Sequence, residues 1–259
     1  MAPVWSALRD ARRSALIPYL TAGYPTPDAS LQALRAADQV SDILEVGVPF
    51  SDPLADGPTI QRSTFEALRQ GMTLAGTLKL IARAELSRPV VVFSYLNPIL
   101  RYGVERFLSA ADALGIAGLL LTDLPAGSDP PVERAIQQSP LDLIRLVAPT
   151  TRPERLTLAV AGAQGFVYLV ARLGVTGATA SLEAGLEASI ARVRAATAVP
   201  VAVGFGISTP GQAATVSRLA DGVVVGSALV DILGTQGVDA AAGFLASLRA
   251  ALDGGDRRS

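Results

Sequence analysis

Eight short apolar runs punctuate the sequence: Ala15–Thr21, Ile43–Val48, Val90–Tyr95, Gly118–Thr122, Leu141–Val147, Gly165–Val170, Val199–Gly204 and Gly222–Val225. Between them lie turns with Gly, Pro or Asp and stretches of helical character, such as Asp28–Ala37 behind Thr26-Pro27 and Pro210–Leu219 behind Ser208-Thr209. Several runs are apolar at nearly every position, as in Val90-Val91-Val92-Phe93, which fits strands covered on both sheet faces. Strand and helix alternating along the whole chain predict a parallel α/β architecture. Eight such units in 259 residues have the size and count of a (β/α)8 TIM barrel. A doubly wound sheet competes, but it would carry Gly-x-Gly-x-x-Gly in its first strand–helix turn. That turn reads Thr21-Ala22-Gly23-Tyr24-Pro25-Thr26-Pro27, and Gly204-Phe205-Gly206 lacks a third glycine at the required spacing.

The expected organisation is therefore one barrel domain over residues 1–252, with residues 253–259 a solvated tail. Pro3–Ser14 reads as a short amphipathic helix covering the barrel floor. The connection from Pro49 to Val90 is long enough for a functional loop and one or two helices.

Missing residue types then limit the chemistry. With no Cys and no His, thiolate nucleophiles, imidazole acid–base catalysis and most transition-metal sites are excluded. The only lysine, Lys79, falls mid-helix in Gly76–Arg83, which argues against a Schiff-base aldolase. Carboxylates, hydroxyls, backbone amides and arginine remain. A net charge of −1 gives no reason to expect nucleic acid or an anionic membrane as partner. No apolar stretch reaches the ~18 residues of a membrane span, and no targeting segment is visible, so a cytoplasmic protein is expected.

In a barrel the residues just after each strand form the active face. Three such positions are rich in glycine: Gly174-Val175-Thr176-Gly177, Gly204-Phe205-Gly206-Ile207-Ser208 and Gly226-Ser227-Ala228-Leu229. Ordinary turns use glycine too, but three adjacent loops and a helix starting at Ser227 suit phosphate binding by backbone N–H groups. Glu45 interrupts an otherwise apolar strand, where alternation can aim it into the barrel mouth; apolar walls would raise its pKa toward a useful range. Asp52 and Asp56 lie in the loop after the second strand, either as turn formers or as a pair for an oxygen-only Mg²⁺ or Ca²⁺ site; the turn reading is favoured. Asp123, after the fourth strand, is either a cap or a participant.

The run Leu44-Glu45-Val46-Gly47-Val48-Pro49-Phe50-Ser51-Asp52-Pro53-Leu54-Ala55-Asp56-Gly57-Pro58-Thr59-Ile60-Gln61 closely resembles the signature of the tryptophan synthase alpha subunit family. The resemblance extends from about Ala15 to Leu233 through Tyr95-Leu96-Asn97-Pro98, Leu146-Val147-Ala148-Pro149-Thr150 and Gly174-Val175-Thr176-Gly177. It implies a lyase that cleaves indole-3-glycerol phosphate to indole and glyceraldehyde 3-phosphate in tryptophan biosynthesis. By the same resemblance Glu45 is the acid–base residue and Asp56 accepts the indole N–H. Thr176, Gly177, Gly206, Gly226 and Ser227 surround the phosphate, while Tyr19, Tyr168 and Phe205 line the pocket. Pro49, Asp52, Asn97 and Pro125 would face a beta subunit in an α2β2 complex that receives the indole. Pyridoxal phosphate would belong to that partner, with no cofactor or metal in this chain.

Cleaving the bond to indole C3 requires protonating that carbon, and a carboxylate beside the ring N–H favours the resulting positive charge. Ala171 departs from the serine that the family often carries, which removes a hydroxyl near the loop after the sixth strand. The segment Gly177–Leu186 is expected to close over substrate. Other phosphate-binding barrels (an isomerase, a free-standing indole lyase) and a catalytically weak barrel that activates a partner are the competing readings. Neither class requires both Glu45 and Asp56.

Overall fold

A computed structural model describes residues 1–170, 179–204 and 206–254. The strands are β1 (Ala15–Thr21), β2 (Leu44–Gly47), β3 (Val90–Ser94), β4 (Gly118–Leu121), β5 (Asp142–Val147), β6 (Val167–Val170), β7 (Val201–Gly204) and β8 (Gly222–Val225). Each pairs in parallel with the next, and β8 returns to β1, closing the expected barrel. Around it run α1 (Ala2–Asp10), α2 (Pro27–Asp38), α3 (Pro58–Arg69), α4 (Leu74–Ala84), α5 (Leu96–Tyr102) and α6 (Val104–Ala113). They are followed by α7 (Pro130–Gln137), α8 (Pro153–Ala159), α9 (Thr179–Ala196), α10 (Pro210–Ser217), α11 (Ser227–Gln236) and α12 (Val238–Asp253).

Local chemistry sets the boundaries. Thr26 caps α2 by accepting the Ala29 N–H at 3.2 Å, and Thr209 and Gln212 form a reciprocal capping box at α10. β6 starts at Val167 rather than Gly165, which turns with φ +68°, and β7 starts after Pro200, which has no N–H to give a ladder. The first helix stops at Asp10, short of the expected Ser14. Arg12 adopts φ +52° and the Arg13 N–H returns to the Leu8 carbonyl at 2.8 Å, turning the chain into β1. The connection from Pro49 to Val90 holds a loop and two helices, α3 and α4. Asp253 ends α12 and pairs with Arg13 and Arg249; residues 255–259 of the expected tail lie outside the described residues.

Two apolar layers result. The barrel interior is closed below by Trp5 and Leu8 of α1, packed on Ile17, Ile43, Val91, Leu120, Ile144 and Phe166. The larger layer lies between the outer faces of the strands and the helices. One buried charge pair crosses that layer: Arg145 of β5 meets Glu133 of α7, and also donates to the carbonyls of Leu124 (3.2 Å) and Ala161 (3.2 Å). Glu133 in turn accepts the Gly127 N–H at 2.7 Å. Both ions thus have further partners, the condition for tolerating their desolvation. The network anchors the loop after β4 that carries Asp123 and Pro125.

Candidate active site

The C-terminal ends of the strands surround a cavity of about 540 Å³, a size suited to a small metabolite. β1 contributes Tyr19 and β2 contributes Glu45, directly in register with each other. Gly47 follows on β2 because the Tyr19 ring crosses that position; a Cβ there would lie 2.0 Å from the Tyr19 hydroxyl. Tyr19 also meets Phe93 of β3 edge-to-face, with ring centroids 5.2 Å apart. Glu45 is consequently walled by aromatic and aliphatic groups.

Glu45 is 1% exposed, and neither of its carboxyl oxygens has a hydrogen-bond partner among the described residues. Burial alone pushes its pKa from 4.5 up to about 8, so the carboxyl is mostly protonated at neutral pH. A buried polar group without a partner costs stability, so packing alone does not account for Glu45 at this cavity wall.

Asp56 stands in the loop after β2 under a different regime. Its pKa rises from 3.8 to about 6 through burial, held back by the Tyr95 hydroxyl, which donates to its Oδ2 at 2.9 Å. The same phenol oxygen accepts the Ala55 N–H at 2.9 Å, and Gln61 donates to the Asp56 carbonyl at 2.9 Å. The loop is therefore fixed from both sides, and Asp56 is ionised at pH 7. Two carboxyls lining one cavity, one protonated and one charged, divide acid from anion by environment.

The opposite wall is built from backbone. Gly206 (φ +84°), Gly226 and Ser227 line the cavity, and α11 begins there without a side-chain cap. First-turn N–H groups with no side-chain acceptor form a site for an anion. Tyr168 lines the same cavity, and its hydroxyl approaches Gly204, where a Cβ would lie 2.4 Å away. Thr176, Gly177, Phe205 and Ala171 lie outside the described residues, as do residues 177–178 of the expected closing segment, whose remaining positions form the start of α9.

The remaining expected residues scatter around the rim. Asp52, Asn97 and Pro125 are exposed, whereas Pro49 is buried and so does not offer the partner-facing surface expected of it. Asp52 accepts from the Ser51 hydroxyl at 2.6 Å. Asp123 accepts the Leu96 N–H at 2.7 Å, tying the loop after β4 to the start of α5. Lys79 is exposed on α4, as expected. No cluster of three or more metal-binding side chains occurs among the described residues. Sequence reasoning gave no role to three residues. Tyr95 clamps Asp56, Thr122 buries its hydroxyl beside the Tyr95 phenol at the cavity wall, and Leu54 is 91% exposed beside Asp52. Tyr95 alone left a signal, as an aromatic immediately after a strand end.

Comparison with known proteins agrees with this geometry. A family sequence model described as tryptophan synthase alpha chain matches residues 5–250. The tryptophan synthase alpha chain of Acidiphilium cryptum is 46% identical over 244 residues, covering 93% of this chain and 88% of that one. The one from Gloeobacter violaceus is 47% identical over 250 residues, covering 95% and 91%. Among solved structures, a chain of Mycobacterium tuberculosis tryptophan synthase superposes with TM-score 0.88 at 41% identity, covering 96% of each chain. The alpha subunit from Legionella pneumophila gives TM-score 0.88 at 34% identity, covering 97% of each.

Proposed function

The chain belongs to the tryptophan synthase alpha chain family, and from that premise we propose that Glu45 and Asp56 carry its lyase reaction, the cleavage of indole-3-glycerol phosphate to indole and glyceraldehyde 3-phosphate. The observation that carries the assignment is the pairing of a buried, protonated Glu45 with an ionised Asp56 in one cavity. Glu45 gives its proton to indole C3 while Asp56 accepts the ring N–H bond and favours the positive charge that develops on the ring. The bond from C3 to the side chain then breaks, and its electron pair restores the neutral indole. The adjacent side-chain hydroxyl becomes the aldehyde, and its proton returns to Glu45. Protons balance, and no other co-reactant is consumed.

Tyr19 and Phe93 flank the indole, and the N-terminus of α11 with Gly226 and Ser227 takes the phosphate; Thr176, Gly177, Phe205 and Gly206 complete that pocket by resemblance. The partner is a beta subunit in an α2β2 complex, which supplies the pyridoxal phosphate that this chain does not need. Exposed Asp52, Asn97 and Pro125, together with Leu54 and Leu100, present a partly apolar rim suited to that partner. We place the reaction in the cytoplasm; no helix among the described residues is long and apolar enough to cross a membrane.

Release of glyceraldehyde 3-phosphate from indole-3-glycerol phosphate, without and with a beta subunit, is the test. Slow release that climbs when the partner is added supports the reading. Fast release alone would make the chain a free-standing lyase, and no release in either case would overturn the substrate.

A further inference from the structure

The cavity carries one acidic side chain that the reaction leaves unexplained. Its described lining includes three acidic side chains, Glu45, Asp56 and Asp231, and no lysine or arginine. Asp231 is the unexpected one. It lies four residues after Ser227 on α11, about 6 Å along the helix axis and on the same face. Helical side chains lean toward the N-terminus, so Asp231 stands over the turn where an anion would dock. A bare carboxylate there opposes a phosphate dianion.

Arg62 of α3 meets this carboxylate: its Nη2 donates to Asp231 Oδ1 at 2.8 Å. Both side chains are about half exposed, at 49% and 53%. As a contribution to folding such a pair is worth only about 0–1 kcal/mol. Its position tells more, because α3 begins two residues after Asp56 and α11 begins at the proposed phosphate site. The bond therefore joins the indole end of the cavity to the phosphate end across 169 residues of sequence. A guanidinium has five N–H donors, so Arg62 neutralises Asp231, also reaches the Tyr24 hydroxyl, and keeps donors to spare.

We propose that the Arg62–Asp231 pair sets the charge at the phosphate end of the cavity and so tunes affinity for the phosphorylated substrate, with Arg62 a positioning residue that acts through Asp231. The inference rests on the phosphate placement proposed above.

The test uses the full chain with three ligands: indole-3-glycerol phosphate in turnover, and inorganic phosphate and indole in direct binding. Arg62→Gln should raise KM and the phosphate Kd about five-fold, the scale of one exposed charge near a dianion. The effect on kcat should be smaller, and indole affinity should not move. Adding Asp231→Asn to Arg62→Gln should restore most of the phosphate affinity, and Arg62→Lys should retain it. Equal losses for indole and phosphate, or no rescue in the double variant, would make the pair merely structural and overturn the proposal. Failure of the wild-type chain to bind phosphate would overturn it as well. If the wild-type chain binds phosphate in the expected pattern yet releases no glyceraldehyde 3-phosphate, the substrate reading falls and the charge pair stands. Normal turnover with Arg62→Gln unchanged gives the reverse.

Discussion

The barrel wall uses one arrangement twice. On β1 and β2, Tyr19 is in register with Glu45 and its hydroxyl end crosses Gly47; on β6 and β7, Tyr168 is in register with Ala202 and its hydroxyl end crosses Gly204. The strand segments even read alike, Glu45-Val46-Gly47 against Ala202-Val203-Gly204. Where one copy holds a carboxyl without a hydrogen-bond partner among the described residues, the other holds a methyl group inside the apolar interior. The backbone and the tyrosine–glycine contact are thus compatible with an apolar side chain at this level. Nothing in the wall asks for an acid, so the acid at position 45 stands at a cost to the fold, which fits the role proposed for it.

The largest break in the comparison should come from Glu45→Gln. Loss of a general acid typically costs 10²–10⁴-fold, and we expect about 10³-fold in kcat with substrate affinity largely kept. Stability should move the other way. Because the folded-state pKa, about 8, lies above the ordinary 4.5, the folded chain binds the extra proton between those values, and stability falls as pH rises through that window. The burial penalty is absent below pH ~4.5 and fully present above ~8, growing by about 1.4 kcal/mol for each pH unit between them. Glu45→Gln should therefore melt above the wild type at pH 9 and level with it near pH 4. Equal melting points at pH 9 would show that Glu45 is not held protonated by burial.

The reciprocal change, Ala202→Glu, should bring the cost without the benefit. Ala202 is fully buried, and its Cβ lies 3.1 Å from where Gly222 would carry one, so the new side chain meets both crowding and desolvation. A loss of about 3 kcal/mol or more is expected in urea unfolding. Gly47→Ala and Gly204→Ala should each cost about 1–3 kcal/mol by displacing a tyrosine. They should differ in turnover: Tyr19 is the register neighbour of Glu45 on the adjoining strand, so displacing it should cost more kcat than displacing Tyr168, which also lies within electrostatic reach of that carboxyl. Equal loss of kcat in the two variants would erase the distinction between the two copies.

What is legible in the sequence divides along the same line. Both strands announce themselves by apolar runs, and Glu45 is visible because it interrupts one. That Gly47 and Gly204 are needed by tyrosines on neighbouring strands is invisible in a linear reading, because the contact depends on register. Strand starts differ from the apolar runs for a similar reason: Leu141 and Phe166 are as buried as strand residues, yet they precede the paired segments. Arg62 and Asp231, 169 positions apart, carry no local pattern that joins them. Asp56 is legible through the resemblance of its loop, while its clamp, Tyr95, requires the fold of that loop onto β3.

Tyr95 offers the smallest and most selective change. Its hydroxyl donates to the charged form of Asp56 and so opposes the rise that burial causes. Tyr95→Phe removes that donor and leaves the ring against Phe50, so the Asp56 pKa should climb above about 6. The proposed mechanism needs an anion beside the indole N–H, so the acid limb of the kcat/KM profile should move upward by about half to one pH unit. The alkaline limb, set by Glu45 near 8, should stay where it is. At pH 7 the loss should be only a few-fold, and it should shrink as the pH approaches 8. A variant that lost activity equally at every pH would show that Tyr95 only holds the loop, and that the Asp56 charge is set by burial alone.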